Sequence, residues 1–172
     1  MSSIIIRDHV KEGLALARQY RMCRTVRDAI GQHHGNDLVK FFYNKALEEQ
    51  KKSPNSAPVL ESQFRYDGIP PQDKEMAIIS LADACEAACR SLDKPSASKI
   101  EAVVDQIFRG RFEGRQLNNA NITLAELEKV RQSFINTLVS MKHGRIAYHQ
   151  ERKRDHSELR MANAPSAPPA EK

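Results

Sequence analysis

The chain contains no tryptophan, only seven glycines in 172 residues, and three cysteines. With glycine this scarce and Ala, Glu, Lys, Arg and Leu abundant, the composition belongs to an all-α globular protein. Three cysteines (Cys23, Cys85, Cys89) make an odd count without framework spacing. That excludes a disulfide scaffold and points to a reduced, cytoplasmic setting. No apolar run approaches the ~20 residues that cross a bilayer. The opening Met-Ser-Ser-Ile-Ile-Ile-Arg-Asp is too short and too soon charged for a signal peptide. The length suits one domain with a real core and is too short for two. What is present is a mild positive excess, 27 basic against 22 acidic side chains for a net +5. That balance suits an anionic small ligand or a phosphate-bearing substrate as well as nucleic acid.

Helical periodicity runs through most of the chain. Residues Ser3 to Tyr20 place Ile6, Val10, Gly13, Leu14 and Ala17 on one face. A second helix is expected from Thr25 to His34, with Gly35 at the left-handed stop. A third spans Asp37 to Lys52, with Asp37 in its first turn and Leu38, Phe41, Phe42, Ala46 and Leu47 inward. Ser53 to Asp73 holds five prolines or glycines and reads as a long loop. It carries Phe64-Arg65-Tyr66, either a base- and phosphate-binding cation between aromatics or a surface loop pinned by two rings. Lys74 to Leu92 is apolar almost all round, the pattern of a central bundle helix. Ser96 or Ser98 caps a fifth helix to about Phe108, Ser98 with Glu101 having capping-box spacing, and Gly110 to Asn121 is a polar turn region. Thr123 with Glu126 opens a long last helix striped by Leu124, Leu127, Val130, Phe134, Leu138, Met141 and Tyr148. Residues 1–150 form the domain, and 151–172 a basic, then Ala/Pro-rich tail without structure.

Chemistry concentrates in few places. His33 and His34 are adjacent at a helix end, His9 sits one helix upstream, and Asp83 interrupts the apolar fourth helix. Each has an ordinary explanation: a core-edge imidazole for His9, dipole-complementing cations for the doublet, an interhelical ion pair for Asp83. Brought together, three imidazoles and a carboxylate are first-row metal chemistry. Cys85 and Cys89 share a helix face but read as buried packing residues, and Glu86 with Arg90 as an i,i+4 pair.

The ordered strings Arg-Asp-His9-Val-Lys-Glu-Gly, Gln-His33-His34-Gly, Phe64-Arg65-Tyr66-Asp67-Gly68, Lys74-Glu75, Leu81-Ala82-Asp83-Ala-Cys-Glu86-Ala-Ala and Met141-Lys-His-Gly-Arg-Ile-Ala-Tyr148 resemble one group of HD-domain phosphohydrolases. This is the cytoplasmic HD domain of seven-transmembrane HD proteins, phosphodiesterases that hydrolyse cyclic di-AMP. The resemblance spans residues 3 to 149 and implies an HD-domain-like helical bundle with a two-metal centre, Mn or Fe, that activates water against a phosphodiester. It matches His9, His33 and His34 to the histidines of one metal, and Asp83 to the other. Arg65 and Lys74 fall where a cation could face substrate phosphates. The family's earlier histidine and its His-Asp doublet have no counterpart here, so the domain is expected to be incomplete at its N-terminus and to hold one metal.

Three functions follow as expectations. The first is a metal-dependent phosphodiesterase acting on a cyclic dinucleotide or other phosphoester, present as a truncated domain. Its missing portion would be an upstream membrane-bound part, and the bare face would favour self-association. The second is a non-catalytic HD module binding a nucleotide or protein partner. The third, a basic nucleic-acid binder, rests only on charge, and no specific nucleic-acid partner is expected.

Overall fold

The structure, a computed structural model, describes residues 3–53, 57–93 and 95–142. Helices α1 (Ser3–Gln19), α2 (Arg24–Gln32), α3 (Lys40–Lys52), α4 (Lys74–Arg90) and α5 (Ala97–Glu113) follow in order. Residues 124–142 are helical as well and are called α6. A single 3-10 turn (Glu61–Phe64) interrupts the loop between α3 and α4.

The core is asymmetric. Ala77, Leu81, Cys85 and Cys89 of α4 meet Ile100, Val104 and Phe108 of α5, and Ile135 and Leu138 of α6 close the layer. Leu117 and Ala120, in the turn between α5 and α6, complete it. By contrast, the α1–α2 hairpin contributes only Ala17 and Gln32 as fully buried side chains, and α3 contributes none. One half of the molecule is therefore a packed three-helix core, and the other is a thin layer laid against it.

Local signals explain most boundaries. Gly35 takes φ +55° and stops α2 as expected. Thr123 and Glu126 form a reciprocal capping box: the Thr123 N–H and hydroxyl each donate to the Glu126 carboxylate at 2.8 Å, and the Glu126 N–H donates to Thr123 Oγ1 at 3.2 Å. Other expectations are corrected. Asp37 lies outside α3 rather than in its first turn, because its carboxylate is drawn to Arg111 and its carbonyl accepts from the Tyr66 N–H. Phe41 faces solvent, not the interior. Ser96, not Ser98, caps α5 by accepting from the Lys99 N–H, and the helix runs on to Glu113, so Gly110 is helical rather than a turn. On α6 the buried stripe centres on Ile135 and Leu138, leaving Leu124 exposed. The C-terminal motif from residue 143 on, Tyr148 and the tail lie outside the described residues.

Cys85 and Cys89 are packing residues, as their spacing suggested, while Cys23 is exposed. Burial pushes the Cys85 thiol up to about 12 and raises Cys89 as well. Iodoacetamide at pH 8 is therefore expected to alkylate Cys23 alone in the native chain, and all three thiols in denaturant. Equal native labelling of Cys85 would contradict the α4–α5–α6 packing.

Candidate metal centre

Three histidines meet on the thin half. His9 on α1, His33 at the end of α2 and His34 just beyond it place their ligating nitrogens within 4.8 Å of one another. His9 is exposed and the other two are half-buried. The tautomers follow from the backbone. His33 Nδ1 lies 2.8 Å from the Ile30 carbonyl, and His9 Nδ1 contacts the Ile6 carbonyl in the same way, one turn back in its own helix. A carbonyl only accepts, so each Nδ1 carries a proton, and in the neutral ring each Nε2 presents a lone pair. Those two Nε2 atoms face one another at 3.2 Å. Two lone pairs so placed repel unless a proton or a metal cation stands between them.

The separation fits a metal. Two nitrogens bound at about 2.1 Å and at a tetrahedral or right angle lie roughly 3.0–3.4 Å apart. His34 supplies a third imidazole, its ring centroid 4.0 Å from that of His33 and 4.9 Å from that of His9. Burial, reinforced by the neighbouring imidazoles and Arg111, pushes His34 down to about 3, so it stays neutral with a lone pair to give. The donor set of three neutral imidazoles suits a divalent first-row ion.

Asp83 comes to the edge of this cluster, its Oδ2 3.7 Å from His34 Nδ1. Since His34 is neutral, the contact is not a salt bridge. Nor is Asp83 a buried carboxylate needing rescue, as its place in an apolar helix suggested. The α4 face that carries it, with Ile79, is open, and the Asp83 side chain is 46% exposed. The neighbour that Asp83 meets is His34, just beyond α2, and not the ion-pair partner its sequence position suggested.

What holds the doublet in place is not visible in the sequence. Residues on either side of His33-His34 are clamped by polar contacts to the loop before α4 and to the packed half. Gln32 Oε1 accepts from the Gln72 N–H at 2.9 Å, Asn36 Oδ1 accepts from Gln116 Nε2 at 2.7 Å, and Asp37 lies 2.9 Å from Arg111 Nη1. The last is an ion-pair distance without hydrogen-bond alignment, since Nη1 otherwise has no partner. The loop after α3 adds a strap. Leu38 and Arg65 form an antiparallel bridge, with Val39 N–H donating to the Phe64 carbonyl at 2.8 Å and Tyr66 N–H to that of Asp37 at 3.0 Å. This lays the Tyr66 ring on His34, centroids 4.3 Å apart and planes 19° from parallel. Gly68 then passes so close that a Cβ there would meet the Gly35 and Gly31 carbonyl oxygens at 2.6 and 2.8 Å. Asp67 ties the strap to α1 through Arg7 at 3.3 Å and Lys11 at 3.2 Å.

The two cations expected near substrate each have a carboxylate partner in this structure. Arg65 Nε donates to Glu61 at 2.8 Å and its Nη1 to the Asn36 carbonyl at 3.0 Å. Lys74 pairs with Glu126 at 2.5 Å, which holds that carboxyl down at about 2. The Phe64-Arg65-Tyr66 aromatics pin the loop, Phe64 near Tyr43 and Tyr66 on His34.

The fold is that of an HD domain. It matches the crystal structure of the Listeria monocytogenes phosphodiesterase PgpH HD domain in complex with cyclic-di-AMP, with a TM-score of 0.73 at 36% identity over 81% of this chain and 63% of that one. The chain is homologous to the cyclic-di-AMP phosphodiesterases PgpH of Bacillus subtilis and L. monocytogenes. Identity is 36% over 154 residues with the first and 38% over 144 with the second, which is 90% and 84% of this chain. It is also 40% identical over 144 residues to the uncharacterised Synechocystis protein slr0104. The chain spans about a fifth of the length of these curated relatives, 18% to 21%. No protein-family model matches it. Among the described residues no helix is long and apolar enough to cross a membrane.

Proposed function

We propose that this chain carries one metal site of an HD-type phosphodiesterase acting on a cyclic dinucleotide, with cyclic di-AMP the substrate its relatives suggest. The observation that carries this reading is the pair of opposed Nε2 atoms of His9 and His33, 3.2 Å apart, with His34 beside them. A divalent ion held there, Mn or Fe, would polarise a phosphoryl oxygen and acidify water. The residues themselves supply orientation: the Ile6 and Ile30 carbonyls aim the imidazoles, and Tyr66 walls off one face of His34. Asp83, exposed at the rim, is the residue for a second ion. Arg65 and Lys74 remain the proposed phosphate contacts, each exchanging a carboxylate partner for substrate. By the same homology the domain would work at the cytoplasmic face of a membrane, completed by a further portion of the protein.

Incubation with cyclic di-AMP and Mn²⁺ tests the proposal: linear dinucleotide or AMP should appear. A specific observation favours a second reading, binding without hydrolysis. Among the described residues one group of potential metal ligands converges, and Asp83 is not within it. Saturable cyclic di-AMP binding with no product would establish that alternative. Asp83→Ala is expected to leave the three-histidine ion bound, with affinity within about threefold, while lowering any turnover by about tenfold or more. Elemental analysis of the variant checks it, and metal loss as complete as that caused by removing a histidine would contradict the division of ligands.

A further inference from the structure

A second concave site lies on the other side of α2. Arg24, Arg27, Asp28 and Gly31 line it from that helix, Leu14 and Arg18 from α1, and Asp67 to Ile69 from the strap. Its volume is about 470 Å³. Arg24 and His33 are nine residues apart, about two and a half turns, so the groove and the histidine occupy opposite faces of the helix.

The groove carries more cations than carboxylates. Its two carboxylates are already neutralised, Asp28 by Arg24 at 3.4 Å, and Asp67 by Arg7 at 3.3 Å and Lys11 at 3.2 Å. Arg18 and Arg27 come from different helices and have no carboxylate partner among the described residues. Two guanidinium groups without a carboxylate partner thus line one concavity, where a multivalent anion would neutralise both. Guanidinium is the side chain suited to bidentate capture of phosphate oxygens. The groove also has an apolar wall, half-buried Leu14 and exposed Ile69, that an inorganic ion would leave unused. Its volume falls within the range of small-molecule sites.

We infer that this groove binds a small phosphorylated organic anion of nucleotide size, with Arg18 and Arg27 on its phosphates and the Leu14–Ile69 wall against its body. The site is separate from the histidine cluster and does not depend on the proposed activity.

The test is calorimetric titration of the metal-stripped full chain with inorganic pyrophosphate and with ADP, in EDTA. Both should bind saturably, ADP more tightly. Arg18→Gln/Arg27→Gln should weaken both at least tenfold with an unchanged thermal melt, since both side chains are exposed. Ile69→Ser should weaken ADP but not pyrophosphate, and His33→Ala should change neither. No saturable binding by the wild type at millimolar ligand, or binding unaltered in the double variant, overturns the inference. So does loss confined to His33→Ala, which would place the anion at the histidines. Single-stranded DNA that binds through the same arginines while neither small anion does would also overturn it.

Discussion

His33→Ala is expected to abolish metal binding, lowering affinity by at least about 100-fold, or roughly 2.7 kcal/mol. The reason is the position of His33 within the cluster. Its Nε2 faces that of His9, and its ring lies beside His34, so it is within reach of both other members of the cluster. Removing it leaves His9 and His34, one imidazole short of the three-nitrogen donor set. The fold should survive, because the His33 ring is tied to the backbone of its own helix, at the Ile30 carbonyl, and bridges to no other element of the core. Elemental analysis after gel filtration, alongside circular dichroism, checks both halves of this expectation. A folded variant with wild-type metal content would show that the histidines do not hold the ion.

Arg111→Met is expected to destabilise the chain by about 2–4 kcal/mol, the largest stability effect outside the apolar core. Arg111 is buried, its side chain 7% exposed, and its guanidinium neutralises Asp37, which is itself only partly open to water. Methionine keeps much of the volume but strands the carboxylate. Because Asp37 anchors the chain just after the His33-His34 turn, metal affinity should fall as well, though less than in His33→Ala. Urea denaturation of the single variant and of Arg111→Met/Asp37→Asn checks this: the double variant should recover part of the loss. A single variant within about 0.5 kcal/mol of wild type would mean that the pair does not clamp the two halves.

How much of this is readable from residues alone depends on range. Helices α1, α2 and α4 are set by local periodicity and by Gly35, and the Thr123–Glu126 box announces α6, so their positions follow from neighbours in the chain. The three histidines and Asp83 can be singled out because each is chemically odd in its own helix. Their convergence cannot, since it depends on a hairpin and on long-range polar contacts that no period encodes. Arg111 and Gln116 look like ordinary polar residues of a helix end and a turn, yet they hold the segment that carries the doublet. Asp37 misleads for the same reason: a helix-start acid and a long-range ion-pair partner look identical in sequence. Phe64-Arg65-Tyr66 reads in sequence equally as a base-stacking motif or as a loop pinned by two rings, and in the fold Tyr66 lies as a wall on His34. Gly68 is distinguished in sequence only as part of a motif string. Its close approach to two carbonyls becomes apparent only once the strap is folded over α2.

Asymmetry of packing also shapes the chemistry. The residues that could hold a metal lie on the thin α1–α2 layer, and the residues that fix that layer lie on the packed core. A bound ion would tie α1 to α2 at the point where they share few buried side chains, so metal loading should raise thermal stability along with occupancy.

The most direct test of a three-histidine metal centre is X-ray absorption at the manganese edge on the Mn²⁺-loaded full chain. Nitrogen at imidazole distance should appear in the first shell, with the outer-shell scattering of histidine rings, and both should give way to solvent-like scattering in His33→Ala. A first shell of oxygen alone in the wild-type chain would contradict the assignment of His9, His33 and His34 as ligands.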